Sequence, residues 1–174
     1  MSVIGTARTG DGRYRVIFWL TAVCVALDQA SKAAVTASLP LYGSLRVVPG
    51  LFDLVHVRNR GAAFGFLNRS DMDWQFWLFL LATLAACGLI LGMARTARYS
   101  RPLFVGFGLI LGGALGNLID RVRLRAVIDF LDFYVGVWHW PAFNVADAAI
   151  CAGALLAAFA LWSRPGVAAG GRQS

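Results

Sequence analysis

Four apolar stretches, each close to 20 residues long, constrain this chain more than any other feature. They cover residues 16–37, 74–94, 102–119 and 143–162. A helix rises about 1.5 Å per residue, so each can cross a hydrocarbon layer about 30 Å thick, the third only barely. The second is the cleanest, with no charge between Asp73 and Arg95. Charged residues make up 14% of the chain, against about 25% in soluble domains. A water-soluble globular enzyme, a disordered chain and a disulfide-stapled secreted domain are therefore excluded. The chain is expected to be an integral membrane protein.

The formal charge is +7, from fifteen arginines and Lys32 against nine aspartates. The arginines lie in short segments between apolar runs, which points to lipid headgroups and topology control, with no nucleic acid as partner. Cys24, Cys87 and Cys151 all fall inside apolar runs, where free Cys behaves as a small hydrophobe. No disulfide, zinc site or thiol nucleophile is expected. Arg8, Arg13 and Arg15 before an apolar run imitate a secretory signal. The length of that run and its internal Asp28 and Lys32 favour an uncleaved first span.

Residues 1–15 and 163–174 read as flexible tails around a membrane domain at 16–162, with loops at 38–73 and 120–142. The seven-residue 95–101 turn holds Arg95, Arg98 and Arg101, whereas the two longer loops hold six aspartates. Both termini are accordingly expected in the cytoplasm. In the first long loop, Leu45 to Val48, Pro49-Gly50 and Leu51 to Val57 read as strand, turn and strand. Asn59-Arg60-Gly61 is a second turn signal, and Ala62 to Leu67 reads as a short interfacial helix or a strand end. A small sheet on the bilayer surface satisfies its backbone in water, which the hydrocarbon forbids.

Ionisable groups inside spans cost roughly 2.5–3.5 kcal/mol each at mid-membrane, so each needs a reason. Asp28 and Lys32, at i, i+4, share one helix face and can pair. Asn117, Asp120 and Arg121 close the third span; Asn144 and Asp147, at i, i+3, open the fourth. Asp129 and Asp132 lie in the loop between them. Successive spans alternate direction, so all these groups and the loop bearing Asn59 and Gly61 meet at one membrane face. Bland readings cover most of them. Asp28–Lys32 reads as a structural pair, Asp120–Arg121 as a helix end or ion-pair network. Gly108, Gly112 and Gly116 form a close-packing stripe. Trp74, Trp77, Trp138, Trp140 and Trp162 suit an interfacial aromatic belt, and His56 and His139 suggest no metal site. Asp129 and Asp147 resist such readings: Asp147 sits inside a span with no cation near it in sequence.

No HExxH, GxSxG or phosphate-binding glycine loop is present. Two neighbouring carboxyl groups can instead share a proton. One then acts as base on water while the other donates to the carbonyl under attack. Such a pair hydrolyses a peptide bond with no cofactor.

Five motifs occur in order: Asp28-Gln-Ala-Ser31-Lys32, Asn59-Arg-Gly61-Ala-Ala63-Phe, Gly112-Gly-Ala-Leu-Gly116-Asn117-Leu-Ile-Asp120-Arg121, Val127-Ile-Asp129-Phe130 and Phe143-Asn144-Val-Ala-Asp147. Together they resemble bacterial lipoprotein signal peptidase (signal peptidase II) over residues 16–162. The resemblance implies an inner-membrane aspartic endopeptidase that cuts prolipoproteins before the diacylglyceryl-modified cysteine. It implies Asp129 and Asp147 as catalytic pair, with Asn117, Arg121 and Asn144 positioning them or binding substrate. Asn59, Gly61 and the segment after them resemble an outer flap; Asp28, Lys32 and Asp120 would support the site, and no metal or cofactor is implied. The implied fold is a membrane α-helical bundle of four transmembrane helices with a small antiparallel β-sheet on the outer, periplasmic face. Substrates would be lipidated prolipoproteins, in contact with membrane lipids, and the enzyme is expected to act as a monomer. The alternative is a small ion or proton transporter or channel subunit, which would need polar groups through the full membrane depth. A non-catalytic assembly partner is a third reading.

Overall fold

The computed structural model describes residues 9–61, 74–97 and 100–163. Four helices, α1 (Thr9–Ser38), α2 (Trp74–Thr96), α3 (Arg101–Leu124) and α4 (Val145–Trp162), are each long and apolar enough to cross a membrane. Four strands, β1 (Ser44–Val48), β2 (Phe52–Asn59), β3 (Val127–Val135) and β4 (Trp138–His139), form one antiparallel sheet in the order β1-β2-β3-β4. A membrane helical bundle carrying a small antiparallel sheet is the fold expected from the sequence.

Helix α3 is the centre of the bundle and packs on each of the other three. Its glycines make this possible. A Cβ added at Gly108, Gly112 or Gly116 would lie 2.8 Å from Leu20 Cβ, 2.5 Å from Cys24 Cβ and 2.6 Å from Asp28 Oδ2 respectively. The i, i+4, i+8 stripe of α3 thus meets an i, i+4, i+8 stripe of α1, a seam in which backbones approach closely. Gly106 meets Gly153 of α4 in the same way, 2.6 Å from its carbonyl oxygen. At the end of the bundle away from the sheet, Ile17, Ile90, Leu103, Phe104, Phe107 and Leu111 join α1, α2 and α3 in an apolar core.

Three features differ from the sequence reading. Residues 9–15 belong to α1 and not to a loose tail. Arg13 explains part of this: its guanidinium donates to the carbonyls of Ala94 (3.1 Å) and Arg95 (3.4 Å) at the end of α2. A cation there answers the unpaired carbonyls and the negative end of the helix dipole. The region 120–142 is not simply a loop. Helix α3 runs on to Leu124, and Val127–Val135 is the longest strand in the sheet. Its first four residues are buried on both faces, which blurs the alternation that marks a half-exposed strand. The run of β-branched and aromatic residues from Val127 to Val135 was the available signal. Helix α4 opens at Val145, two residues after Phe143, because Asn144 caps it. The segment Ala62 to Leu67, residues 1–8 and residues 164–174 lie outside the described residues.

The sheet sits where α1 ends, α2 begins, α3 ends and α4 begins. Phe143 exchanges backbone hydrogen bonds with Leu131 of β3 (2.9 and 3.1 Å). That bridge clips the start of α4 to the strand that carries Asp129.

Candidate active site

Asn144 and Asp147 form a capping box at the start of α4. The Asn144 side-chain oxygen accepts from the Asp147 amide at 2.9 Å, and Asp147 Oδ2 accepts from the Asn144 amide at 3.3 Å. Two otherwise unpaired helix-end donors are satisfied reciprocally, so the Asn-x-x-Asp spacing itself orients the Asp147 carboxylate. Its other oxygen, Oδ1, accepts from the side-chain amide of Asn117 on α3 at 2.8 Å.

Asp129 enters from β3 and is 3% exposed. Its Oδ1 accepts from Asn144 Nδ2 at 2.8 Å and its Oδ2 from Asn59 Nδ2 at 3.0 Å. Asn59 belongs to β2, whose register sets Asn59 against Val127 and Val57 against Asp129. Burial, then the neighbouring Asp147 carboxylate, pushes the Asp129 carboxyl up to about 7; the amides of Asn59 and Asn144 and the charge of Lys32 oppose this. Asn144 therefore touches both aspartates, one through its side-chain amide and the other through the capping box.

Below this layer lies a buried ionic cluster. Lys32 Nζ lies 2.8 Å from Asp28 Oδ2, 2.8 Å from Asp120 Oδ2 and 3.0 Å from Asn117 Oδ1, which uses all three of its donors. Asp28 Oδ1 accepts from the Ala146 amide in the first turn of α4 (3.0 Å), and Asp120 Oδ2 from the Ile128 amide of β3 (3.2 Å). The cluster ties α1, α3, α4 and β3 together directly beneath the two aspartates. Sequence spacing identified the Asp28–Lys32 pair but not the second carboxylate, because Asp120 comes from another helix. Gln29 was also missed: its amide donates to Asp120 Oδ1 at 3.0 Å and to the Gly116 carbonyl at 3.2 Å. A polar residue beside Asp28 in an apolar run was the signal.

Asp120 and Arg121 part company. Adjacent helix residues point about 100° apart, so Asp120 turns to Lys32 while Arg121 faces the site. Its guanidinium lies 4.2 Å from the centre of the Phe79 ring on α2, and Nη1 lies 3.5 Å from the Asn117 carbonyl. Gly61 is buried beside Asn59, to whose side-chain oxygen its amide donates at 3.0 Å.

Asp129, Asp147, Asn59, Gly61, Asn117 and Arg121 line a cavity of about 690 Å³. Its upper wall is polar. Below the aspartates it continues between α2, α3 and α4, past Phe79, Ala86, Ile110 and Ile150. From Asn117 to Ile110 is seven residues, about 10 Å along α3. Helices α2 and α4 both pack on α3 without substantial packing on each other, so the cavity lies between them on the face of α3. Two carboxyl groups are thus placed above an apolar slot between helices long and apolar enough to cross a membrane. Peptide-bond hydrolysis by a proton-sharing pair is chemistry this arrangement can perform. Among the described residues no cluster of three His, Cys or acidic side chains is suited to a metal.

A family model described as signal peptidase (SPase) II matches residues 20–163. A lipoprotein signal peptidase of Nitratidesulfovibrio vulgaris (strain DP4) is 56% identical over 161 residues, 92% of this chain and 98% of that protein. One of Oleidesulfovibrio alaskensis is 55% identical over 150 residues, covering 86% of this chain and 96% of the relative. A solved structure described as a bacterial membrane enzyme superposes with a TM-score of 0.74 at 28% identity, covering 84% of this chain and 87% of its own. A second, similarly described, gives 0.73 at 28% identity, with 84% and 92% covered.

Proposed function

This chain belongs to the signal peptidase II family, and from that premise we propose that Asp129 and Asp147 are its catalytic pair. It is a membrane protease that processes prolipoproteins. The cut falls before the cysteine that bears the diacylglyceryl group. The observation that carries the assignment is Asn144, which joins both carboxyl groups at the mouth of one cavity.

At rest the pair shares one proton, and burial with the neighbouring carboxylate, which pushes the Asp129 carboxyl up to about 7, favours its place on Asp129. Asp147 acts as base. It takes a proton from water as the water oxygen attacks the scissile carbonyl carbon, and Asp129 gives its proton to the carbonyl oxygen. The tetrahedral diol collapses as Asp147 passes its proton to the leaving nitrogen and Asp129 recovers one from the diol. The C–N bond breaks and both carboxyls return to their starting states. Asn117, Asn144 and Asn59 hold the pair, and Arg121 contributes positive charge at the cavity wall. Asp28, Lys32 and Asp120 support the site from beneath.

The sheet end of the bundle faces the periplasm and both termini face the cytoplasm of an inner membrane. The crowding of three arginines into the seven-residue turn between α2 and α3 supports this orientation. The apolar signal helix of the substrate remains in lipid alongside the bundle. The enzyme acts as a monomer in this reading, since the glycines of α3 that face α1 and α4 are already packed within one chain.

The test is cleavage of a lipidated precursor by the reconstituted full chain. Asp129→Asn and Asp147→Asn each leave an inserted, folded protein with almost no cleavage. Near-normal turnover by either variant removes that residue from the pair.

A further inference from the structure

Helix α2 is held unevenly. Away from the sheet, Ile90 and Ala94 are buried in the apolar core and Arg13 caps the final carbonyls. Its middle, from Phe79 to Ala86, borders the cavity. At the sheet end, besides the buried Gln75, two guanidinium groups from the end of α3 lie over two α2 rings. Arg121 is 4.2 Å from the Phe79 ring centre and Arg125 is 4.0 Å from that of Phe76. The i, i+4 arginines thus meet i, i+3 phenylalanines as two rungs between the helices.

Arg125 is an unexpected residue for its backbone. It is the C-cap of α3 and adopts the left-handed conformation, φ 54°, which favours glycine. Its own amide already bonds the Arg121 carbonyl at 3.0 Å. The backbone therefore gains nothing from an arginine there, whereas the Phe76 ring does.

We propose that Arg125 is a positioning residue. With Arg121 it holds the sheet end of α2 against α3, and so sets the width of the lateral opening between α2 and α4 through which an apolar substrate segment enters. The proposal rests on the proteolytic reading above for what enters, but not for the latch itself. Opening pivots about the anchored end of α2, and both ring contacts must break for it to occur. A cation–ring contact at an exposed site shifts such an equilibrium by about two- to fivefold.

The full chain, with Cys24, Cys87 and Cys151 replaced by alanine, is spin-labelled at the exposed positions Leu78 on α2 and Leu155 on α4 and placed in lipid nanodiscs. Pulsed electron resonance then reads the distance distribution. Arg125→Gln and Arg125→Gly are expected to enlarge the long-distance population about two- to fivefold. Arg125→Lys, which keeps the cation, holds the parental distribution. Phe76→Leu matches Arg125→Gln, and the two combined do no more than either alone. The glycine variant folds readily, since glycine suits the left-handed cap. An unchanged distribution in Arg125→Gln and Arg125→Gly overturns the latch. So does a lysine variant that behaves like glutamine, or an additive double variant. The same labels on Asp129→Asn should give the parental distances. Failure of the unlabelled parent to cut lipidated precursor would instead sink the proteolytic reading and leave the latch standing.

Discussion

The side-chain amide nitrogen of Asn144 lies 2.8 Å from Asp129 Oδ1. Asn144 is also the N-cap of the helix that carries Asp147. One residue thereby couples a strand-borne carboxyl to a helix-borne one, and its two duties can be separated by mutation. Asn144→Ser retains an oxygen able to cap α4 but removes the donor to Asp129. We expect α4 to stay capped while turnover falls by about 10²-fold, the order of loss when an oriented catalytic group is misplaced. Asn144→Ala removes both and costs a further ~1 kcal/mol of stability through the lost cap. Thermal melting alongside single-turnover cleavage checks both.

Activity should decline as pH rises through about 7. Asp129 carries the shared proton below that value and loses it above, so kcat falls along an alkaline limb, approaching tenfold per unit beyond the midpoint. The Asn144 amide favours the charged form of Asp129. In Asn144→Ser the residual activity should therefore extend to higher pH. A limb that stays in place would detach that amide from the titration.

The same carboxyl makes stability depend on pH, with a defined sign. Its folded value, about 7, is above the 3.8 of an ordinary aspartate. Between these values the folded state holds a proton that the unfolded state has released, so the contribution of Asp129 to stability declines as pH rises from about 4 to about 7 and is level above. Asp129→Asn should raise the melting midpoint more at pH 8 than at pH 5. Equal shifts at both values would refute the burial argument.

Lys32 balances two buried carboxylates, Asp28 and Asp120. Lys32→Met leaves both without their cation, and removal of one partner from a buried ionic group costs about 3–5 kcal/mol. The expected outcome is a large loss of folded protein, measured by size-exclusion recovery in mild detergent.

Glycine substitutions should divide by face. Gly112→Ala sets a methyl 2.5 Å from Cys24 Cβ and must part α1 from α3. Gly92→Ala on α2 meets nothing within 4 Å and should leave the melting midpoint unchanged or raised, since alanine is the better helix former. Parallel melts of the two variants provide the comparison.

Much of this protein was legible one residue after another. Span length and hydropathy depend on local composition, and a 30 Å apolar layer admits little else than helices. The Asn144–Asp147 capping box and the Asp28–Lys32 pair are helix-periodic, so their spacing alone places them on shared faces. Parity brought the polar groups to one membrane face. Other features depended on partners far away in sequence. Strand β3 reads as loop in the sequence because burial on both faces erases its alternation. Asp120 found Lys32, 88 residues away by number, only because glycines at 108, 112 and 116 let α1 and α3 approach. The meeting of Asp129 with Asn144 required the Leu131–Phe143 bridge. Periodicity encodes which face a side chain occupies, and that is a local property of the backbone. Which faces then touch is decided by close packing among segments that no sequence interval relates, so it emerges only when the chain is folded.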